Sequence, residues 1–460
     1  KPLNPFQKSL IELGSIYALR TLIYSQSGAL QDNDFSTWTV GISERFKSAK
    51  PYRFDDNSLV INHVGHAMMP AFETALFRTN GMGFYQSFAL QFTASTFWEF
   101  VIEAKETVSL NDVLETPVAG ASISEVLFQF SQFYRRGAAN RHNKIIGGFF
   151  SGPMAFNYWV NGTARKASDR LDAQGYDANT YHSFKNYLGS GVYSSRFLLR
   201  AGTEMELVNI KDYKKPGAEH RFYNFPIAAE FDLSVGGNHQ SLNEVKLLMQ
   251  TQFASYHAKH IGIDSTEQAR GTSFLVGVSS AYEMNYAQYP TINDNVITVH
   301  ILGLAAEWFR ISGKTQLTAK AKIYGDYASV SSQALDNYTQ QYDPLTNIKS
   351  SFKEGYYHAI GASLLSEIEL KHDRFLEGAK LFAGQYSSVD GYDRHQELVL
   401  NDFHLRDTRT EAKTWIAFLP TPEMELQLGY EKRQWKSTID PNTSNNPQVN
   451  MFTTKVVWVY

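Results

Sequence analysis

The chain has no cysteine among its 460 residues. These residues therefore offer no disulfide framework, thiol nucleophile or thiolate-bound metal, and a lipidated N-terminal cysteine is not expected. It also lacks any apolar run approaching the roughly 20 residues of a helical membrane span, and its mean hydropathy is −0.33. A polytopic helical membrane protein is excluded too. Net charge is small: 43 Lys and Arg against 46 Asp and Glu leave −3, which gives no global drive toward nucleic acid. Catalytic signatures are equally scarce. GxSxG, GxGxxG, the P-loop and HExxH do not occur, and Gly189-Ser-Gly191 and Gly236-Gly-Asn238 read as turn glycines. No cofactor and no metal is expected. The chain opens KPLNPF without a charged-then-apolar leader, so export would require a signal peptide already removed from this numbering.

Aromatic residues are abundant, with 26 Tyr and 31 Phe making most of a 14% aromatic content. The last ten residues show how they are used. Phe452, Thr454, Val456, Trp458 and Tyr460 fall on one face of an extended strand, while Thr453, Lys455, Val457 and Val459 fall on the other. One face is compatible with lipid. This segment resembles the closing strand of bacterial outer-membrane β-barrels, and the resemblance implies that Phe452, Val456, Trp458 and Tyr460 form the signal read by the barrel-assembly machinery.

Beyond about Ser190 the same alternation recurs. Gln316, Thr318, Lys320 and Lys322 oppose Leu317, Ala319, Ala321 and Ile323; Glu425, Gln427, Gly429 and Glu431 oppose Leu426, Leu428 and Tyr430. Segments such as 295–311 and 355–371 exceed the roughly 9 to 11 residues that cross a bilayer with tilt, which a soluble sandwich does not need. Strands are predicted near 145–160, 193–209, 222–234, 242–257, 271–287, 295–311, 314–327, 355–371, 374–387, 410–418, 423–435 and 450–460. Short turns at 311–314, 371–374 and 419–422 fall at one end, and long polar loops at 327–355, 387–410 and 435–450 at the other. That asymmetry is the outer-membrane pattern, with the short turns periplasmic.

The first 140 residues follow a different period. Leu10, Leu13, Ile16, Tyr17 and Leu19 recur at helical spacing in 6–24, and 84–105 is an apolar segment too long for an ordinary strand. Ser109 can cap a helix whose third residue is Asp112, with Pro117 and Gly120 interrupting it before 122–135 resumes. The densest polar constellation lies here: Asn62, His63, His66, Glu73, Arg78, Asn80, Glu99, Glu103, Asp112 and Glu125. His63 with His66 and Glu99 with Glu103 each share a helix face, an acid–base arrangement in principle. The spacing fits neither HExxH nor the ExxH pairs of di-iron bundles. The plainer expectation is that these carboxylates pair with Arg78 or with inward cations of the barrel, fastening the helices in a polar lumen. Ser255 and His257 are a weaker candidate pair, by analogy with lipid hydrolases that carry Ser and His on the outer barrel wall.

The stretch 62–125 carries Asn62-His63, Trp98-Glu99, then SLNDVLETPVAG with Ser109, Asp112, Thr116, Pro117 and Gly120, and finally Glu125. In this it resembles a family of functionally uncharacterised bacterial envelope proteins, with Val113 standing where the family pattern has Leu. The resemblance implies an envelope location and no reaction.

The sequence thus predicts a mainly β fold: an outer-membrane antiparallel β-barrel of about twelve strands over 141–460, with a helical segment, 1–140, as lumen plug or periplasmic cap. The expected role is structural or a gated passage in the Gram-negative outer membrane, with the lipid bilayer, the assembly machinery and an envelope protein as candidate partners. The alternative is a membrane-embedded lipid hydrolase or acyltransferase using His63, His66, Glu99 and Glu103. A third reading is a soluble all-β protein with a helical lid.

Overall fold

The computed structural model describes residues 3–26, 43, 47, 52–54, 57–103, 108–152, 154–194, 196–238, 241–289, 292–331, 334, 355–389, 404–439 and 443–460. Twelve long antiparallel strands form one closed barrel: β1 (Tyr181–Tyr193), β2 (Arg196–Val208), β3 (Ala228–Gly237), β4 (Leu242–Ile263), β5 (Ala269–Tyr289), β6 (Ile292–Ser312), β7 (Thr315–Ser331), β8 (Tyr357–His372), β9 (Phe375–Ser388), β10 (Leu405–Thr421), β11 (Met424–Ile439) and β12 (Gln448–Val459). Each pairs with its sequence neighbour, and β12 returns to β1 with Val456 opposite Leu188. Closure removes the unpaired edges that an open sheet would expose. A short strand, Gly217–Tyr223, extends the wall beside the lower part of β4.

Side-chain alternation gives the barrel the inside-out polarity of an outer-membrane protein. Leu188, Leu199, Leu304, Ile323, Ile360, Ile416, Leu428 and Phe452 are exposed on the outside. Inward positions carry charge: Lys185 reaches Glu369 at 3.1 Å and Lys320 reaches Glu206 at 2.9 Å, pairings between strands that are not neighbours and meet only across the lumen. Tyr460 and the turns at Ser312–Thr315, His372–Phe375 and Thr421–Met424 lie at one end, where Phe184 and Tyr460 exchange backbone hydrogen bonds. The long connections after β7 and β9 lie at the other.

Among the described residues, six α-helices precede the barrel: α1 (Pro5–Gln26), α2 (His66–Thr79), α3 (Phe84–Phe97), α4 (Leu110–Arg136), α5 (Arg141–Ser151) and α6 (Met154–Val160). The predicted strand at 145–160 is in fact α5 and α6. Asn140 starts α5 by accepting a hydrogen bond from the Asn143 amide at 2.8 Å, which satisfies a donor that a helix N-terminus leaves orphaned. The strand that completes twelve is instead Tyr181–Tyr193, so the helical part runs to Val160 and the barrel begins only at Tyr181. Ser109 caps α4 as expected, accepting from the Asp112 amide at 3.3 Å. Pro117 and Gly120 do not interrupt it; α4 is continuous through both. An interior proline costs a helix about 3 kcal/mol, and burial of Val126, Phe130 and Phe133 along the same helix offsets that.

The helices lie against the outer wall. α4 and α5 cover Phe184, Met205, Leu207, Ala229 and Phe231, while α2 and α4 cover Tyr282, Ile297 and Val299. These barrel residues are out of phase with the inward charges on their strands: Lys185 beside Phe184, Glu206 beside Met205 and Leu207, Glu230 beside Ala229 and Phe231, Glu283 beside Tyr282. Phe84 of α3 likewise packs on outward Phe253 at 5.4 Å between ring centroids. The expected place in or beneath the lumen thus gives way to one alongside the barrel. No described helix is long and apolar enough to cross a membrane on its own.

What enters the lumen instead is the connection between β2 and β3. At the Tyr460 end, Tyr213 donates to Glu307 at 3.0 Å, Lys214 pairs with the same carboxylate, and Lys259 donates to the Asp212 carbonyl at 2.7 Å. Val208, Ile210, Tyr213, Tyr223, Ile227 and Leu275 pack around this insertion. Toward the opposite end Val296, Val330, Ala334, Tyr357 and Tyr386 form an apolar layer inside the barrel.

Candidate functional site

The polar residues singled out in the helical part form two clusters. In the first, a π-helical turn, Ile61–Gly65, leads into α2 and presents Asn62 and His66. Asn62 donates from its amide to the Tyr356 hydroxyl at 2.9 Å. His66 Nδ1 lies 2.8 Å from Asp112 Oδ1, which also receives hydrogen bonds from Thr116 and Asn111 at 3.0 and 3.3 Å. Burial works to raise the Asp112 carboxyl, and the hydrogen bond and charge of His66, with help from Ser109 and Thr116, outweigh it and leave the group below its usual range. Glu99 accepts from the Ser109 backbone amide at 3.1 Å, and Glu103 from the Trp98 indole at 2.7 Å. The side chain of His63 lies outside the described residues.

The second cluster is an ion pair between α2 and α4. Arg78 meets Glu125 through two bonds, at 2.8 and 3.2 Å, donates to the Met82 carbonyl at 2.7 Å, and lies 4.4 Å over the Phe128 ring. Burial pushes Glu125 up, with Arg78 opposing. Nearby, Arg20 of α1 stacks 3.9 Å over Trp98 and reaches fully buried Glu73 at 3.4 Å; burial raises Glu73 as well, opposed first by Arg20.

Arg78, Asp112 and Glu125 are therefore brought together with partners, and Asn62 reaches the barrel through Tyr356. Glu99 does not pair with Arg78, and neither of the paired carboxylates Asp112 and Glu125 uses a barrel cation: the lumen charges face the other way. Among the described residues no group of three His, Asp or Glu is arranged to hold a metal ion. Ser255 and His257 are not on the outer wall. A bulge between Phe253 and Ser255, with Ala254 at φ 49°, shifts the side-chain phase by one. Both residues turn inward, where His257 Nε2 lies 3.1 Å from Ser273 Oγ.

The richer arrangement, which sequence reasoning did not single out, is the lumen. A cavity of ≈ 460 Å³ lies directly beyond the inserted Tyr213 and Lys214, lined by ion-paired residues including Lys185, Glu206, Lys320 and Lys380. Farther along, Arg200 bridges Glu431 and Glu244 at 2.9 and 2.6 Å. His300 sits between Asp326 at 2.7 Å and Glu283 at 3.1 Å. Cations and carboxylates alternate through this space, so it suits a small polar or zwitterionic solute better than an apolar one. The signal was present in the alternation of Lys320 and Lys322 with alanines, and in the Tyr213-Lys214 pair of an overlong connection.

A family model described as a domain of unknown function, DUF3943, matches residues 51–154, the helical stretch that carries both clusters. No curated protein matches the chain. Among solved structures, the chain is similar to in-vitro folded OmpT, an outer membrane protein of Vibrio cholerae, at 6% identity and TM-score 0.22, covering 61% of this chain and 97% of that one. It is similar also to the translocator domain of autotransporter NalP from Neisseria meningitidis, at 10% identity, 68% and 97% coverage and TM-score 0.20. The outer membrane channel DcaP of Acinetobacter baumannii gives 11% identity, 63% and 99% coverage and TM-score 0.18. At such values the barrel stands on its own strand pairing.

Proposed function

We propose that this chain is an integral outer-membrane barrel protein of the Gram-negative envelope whose lumen is a gated passage for a small polar solute. The observation that carries this reading is the seating of Tyr213 and Lys214 on Glu307 at the mouth of the ≈ 460 Å³ cavity. The inserted residues belong to a connection between strands, so their withdrawal breaks side-chain contacts and leaves the barrel ladder intact. The plug role expected of the helices passes to this segment. The short-turn end is periplasmic in this reading, and outward Phe452, Val456, Trp458 and Tyr460 present the signal to the barrel-assembly machinery.

Conductance in planar lipid bilayers tests the gate. The wild type is expected to be mostly closed, and Tyr213→Ala with Lys214→Ala to raise open probability while the heat-modifiable gel shift of a folded barrel is kept. An equally closed baseline in both proteins contradicts a gate at this segment.

The enzymatic reading has one supporting arrangement, His66 beside Asp112. Yet the Asp112 carboxylate also takes hydrogen bonds from Asn111 and Thr116 of its own helix, Glu99 takes the Ser109 amide at the start of α4, and Glu103 takes the Trp98 indole of its own turn, so each of the three carboxylates already holds local structure. Lipid turnover by the purified protein that is lost in His66→Ala would reinstate it.

A further inference from the structure

The segment from Arg135 to Arg170 has a charge balance unlike the rest of the chain. It holds five Arg and two Lys against the single acid Asp169, in a protein whose net charge is −3. It contains the end of α4, all of α5 and α6, and the approach to β1. Its buried face is occupied: Phe150 stacks on Phe130 at 4.8 Å, and Tyr158 lies under the Arg135 guanidinium at 3.7 Å. Its other face is open. Ile145, Phe149, Phe156 and Val160 are all well exposed, and Trp159 is 78% exposed.

The cations flank this apolar face. Arg141, Lys144 and Lys166 make no ion pair among the described residues and stand exposed beside it. The position along the barrel is fixed by contacts at the Tyr460 end: Phe133 and Tyr134 pack on Phe184, whose backbone bonds to Tyr460, and Arg170 reaches Asp212 of the inserted connection at 3.6 Å. The patch is thus continuous with the apolar outer belt and sits where that belt ends. A tryptophan-bearing apolar face rimmed by unpaired cations at such a level is suited to a bilayer interface, the rings among the acyl–headgroup boundary and the cations on phosphodiesters.

We propose that α5, α6 and the stretch to Arg170 form an anchor that binds anionic phospholipid headgroups in the leaflet at the Tyr460 end of the barrel. This rests on the membrane-barrel reading above. Charge complementarity selects the occupant: a zwitterionic bilayer would satisfy the aromatic face and leave the cations without partners.

The test uses the full-length protein reconstituted in phosphatidylcholine vesicles, with spin-labelled phosphatidylglycerol or spin-labelled phosphatidylcholine reporting which lipid occupies the protein boundary. The wild type is expected to enrich phosphatidylglycerol. The triple variant Arg141→Gln, Lys144→Gln, Lys166→Gln should lower that preference by about a hundredfold, since it removes all three cations that face the anionic surface. High salt should lower the wild-type preference in the same direction. A Trp159→Ala variant, with all three cations, should keep the preference for phosphatidylglycerol over phosphatidylcholine and weaken contact with both. Equal boundary occupancy by the two lipids in the wild type, or a preference unchanged in the triple variant that still shows the heat-modifiable shift, overturns the anchor. Failure to enter vesicles at all would instead overturn the barrel reading beneath it.

Discussion

The hydroxyl of Ser122, on α4, lies 2.8 Å from the hydroxyl of Ser280, on the outward face of β5. Its sequence neighbour Ser279 points the other way, into the lumen, where it meets the Tyr324 hydroxyl at 3.0 Å. One strand position thus separates a helix contact from a lumen contact, and the helices are on the outer side.

Two helices approach closely at Gly120, where an added Cβ would stand 2.5 Å from the Pro70 Cβ and 3.0 Å from the Ala71 backbone. Gly120→Leu should force α2 and α4 apart, at a cost of about 1–3 kcal/mol or more from overpacking. Limited proteolysis should then cut the helices sooner than in the wild type, while the boiled-versus-unboiled gel shift reports an intact barrel. An unchanged cleavage pattern would show that the contact is not tight.

Removing one partner of the Arg78–Glu125 pair leaves a buried charge uncompensated, whereas removing both does not. Arg78→Met alone should destabilise by about 3–5 kcal/mol, and Arg78→Met with Glu125→Leu by much less. Thermal unfolding of the two single variants and the double variant measures the coupling; additive effects would refute it.

For Asp112 the folded carboxyl titrates below its unfolded value of 3.8. The sign follows: its contribution is fully present above 3.8 and is lost as pH falls through the lower folded value. Asp112→Asn should lower the unfolding temperature at neutral pH and narrow the gap to wild type under strongly acidic conditions. A gap that widens on acidification would contradict the assignment.

The barrel was legible wherever charge alternated with apolar residues, as in Lys320 to Ile323 and Glu425 to Leu428, because a two-faced strand between lipid and a polar lumen needs that pattern. It was illegible in β1, where Gly189 and Gly191 and a mixed outer face blur the period. Phe149, Phe150, Phe156, Tyr158 and Trp159 imitate a strand because aromatics favour sheets, while the decisive cap, Asn140, stands outside the run. The polar residues of the helical part stand out by their density, but their partners do not. The reason is physical: an outward apolar residue such as Phe231 or Met249 looks the same whether lipid or a helix covers it. No local pattern distinguishes a helix packed outside a barrel from one packed within.

That placement is the central claim, and the absence of native cysteine allows it to be measured directly. In Ser122→Cys with Ser280→Cys, oxidation of the folded protein should form an intramolecular disulfide in high yield, because the two hydroxyls already lie within the reach of a sulfur pair. In Ser122→Cys with Ser279→Cys the partner faces the lumen, and little or none should form. Efficient bridging through position 279, with none through 280, would put the helix inside the barrel and contradict the account.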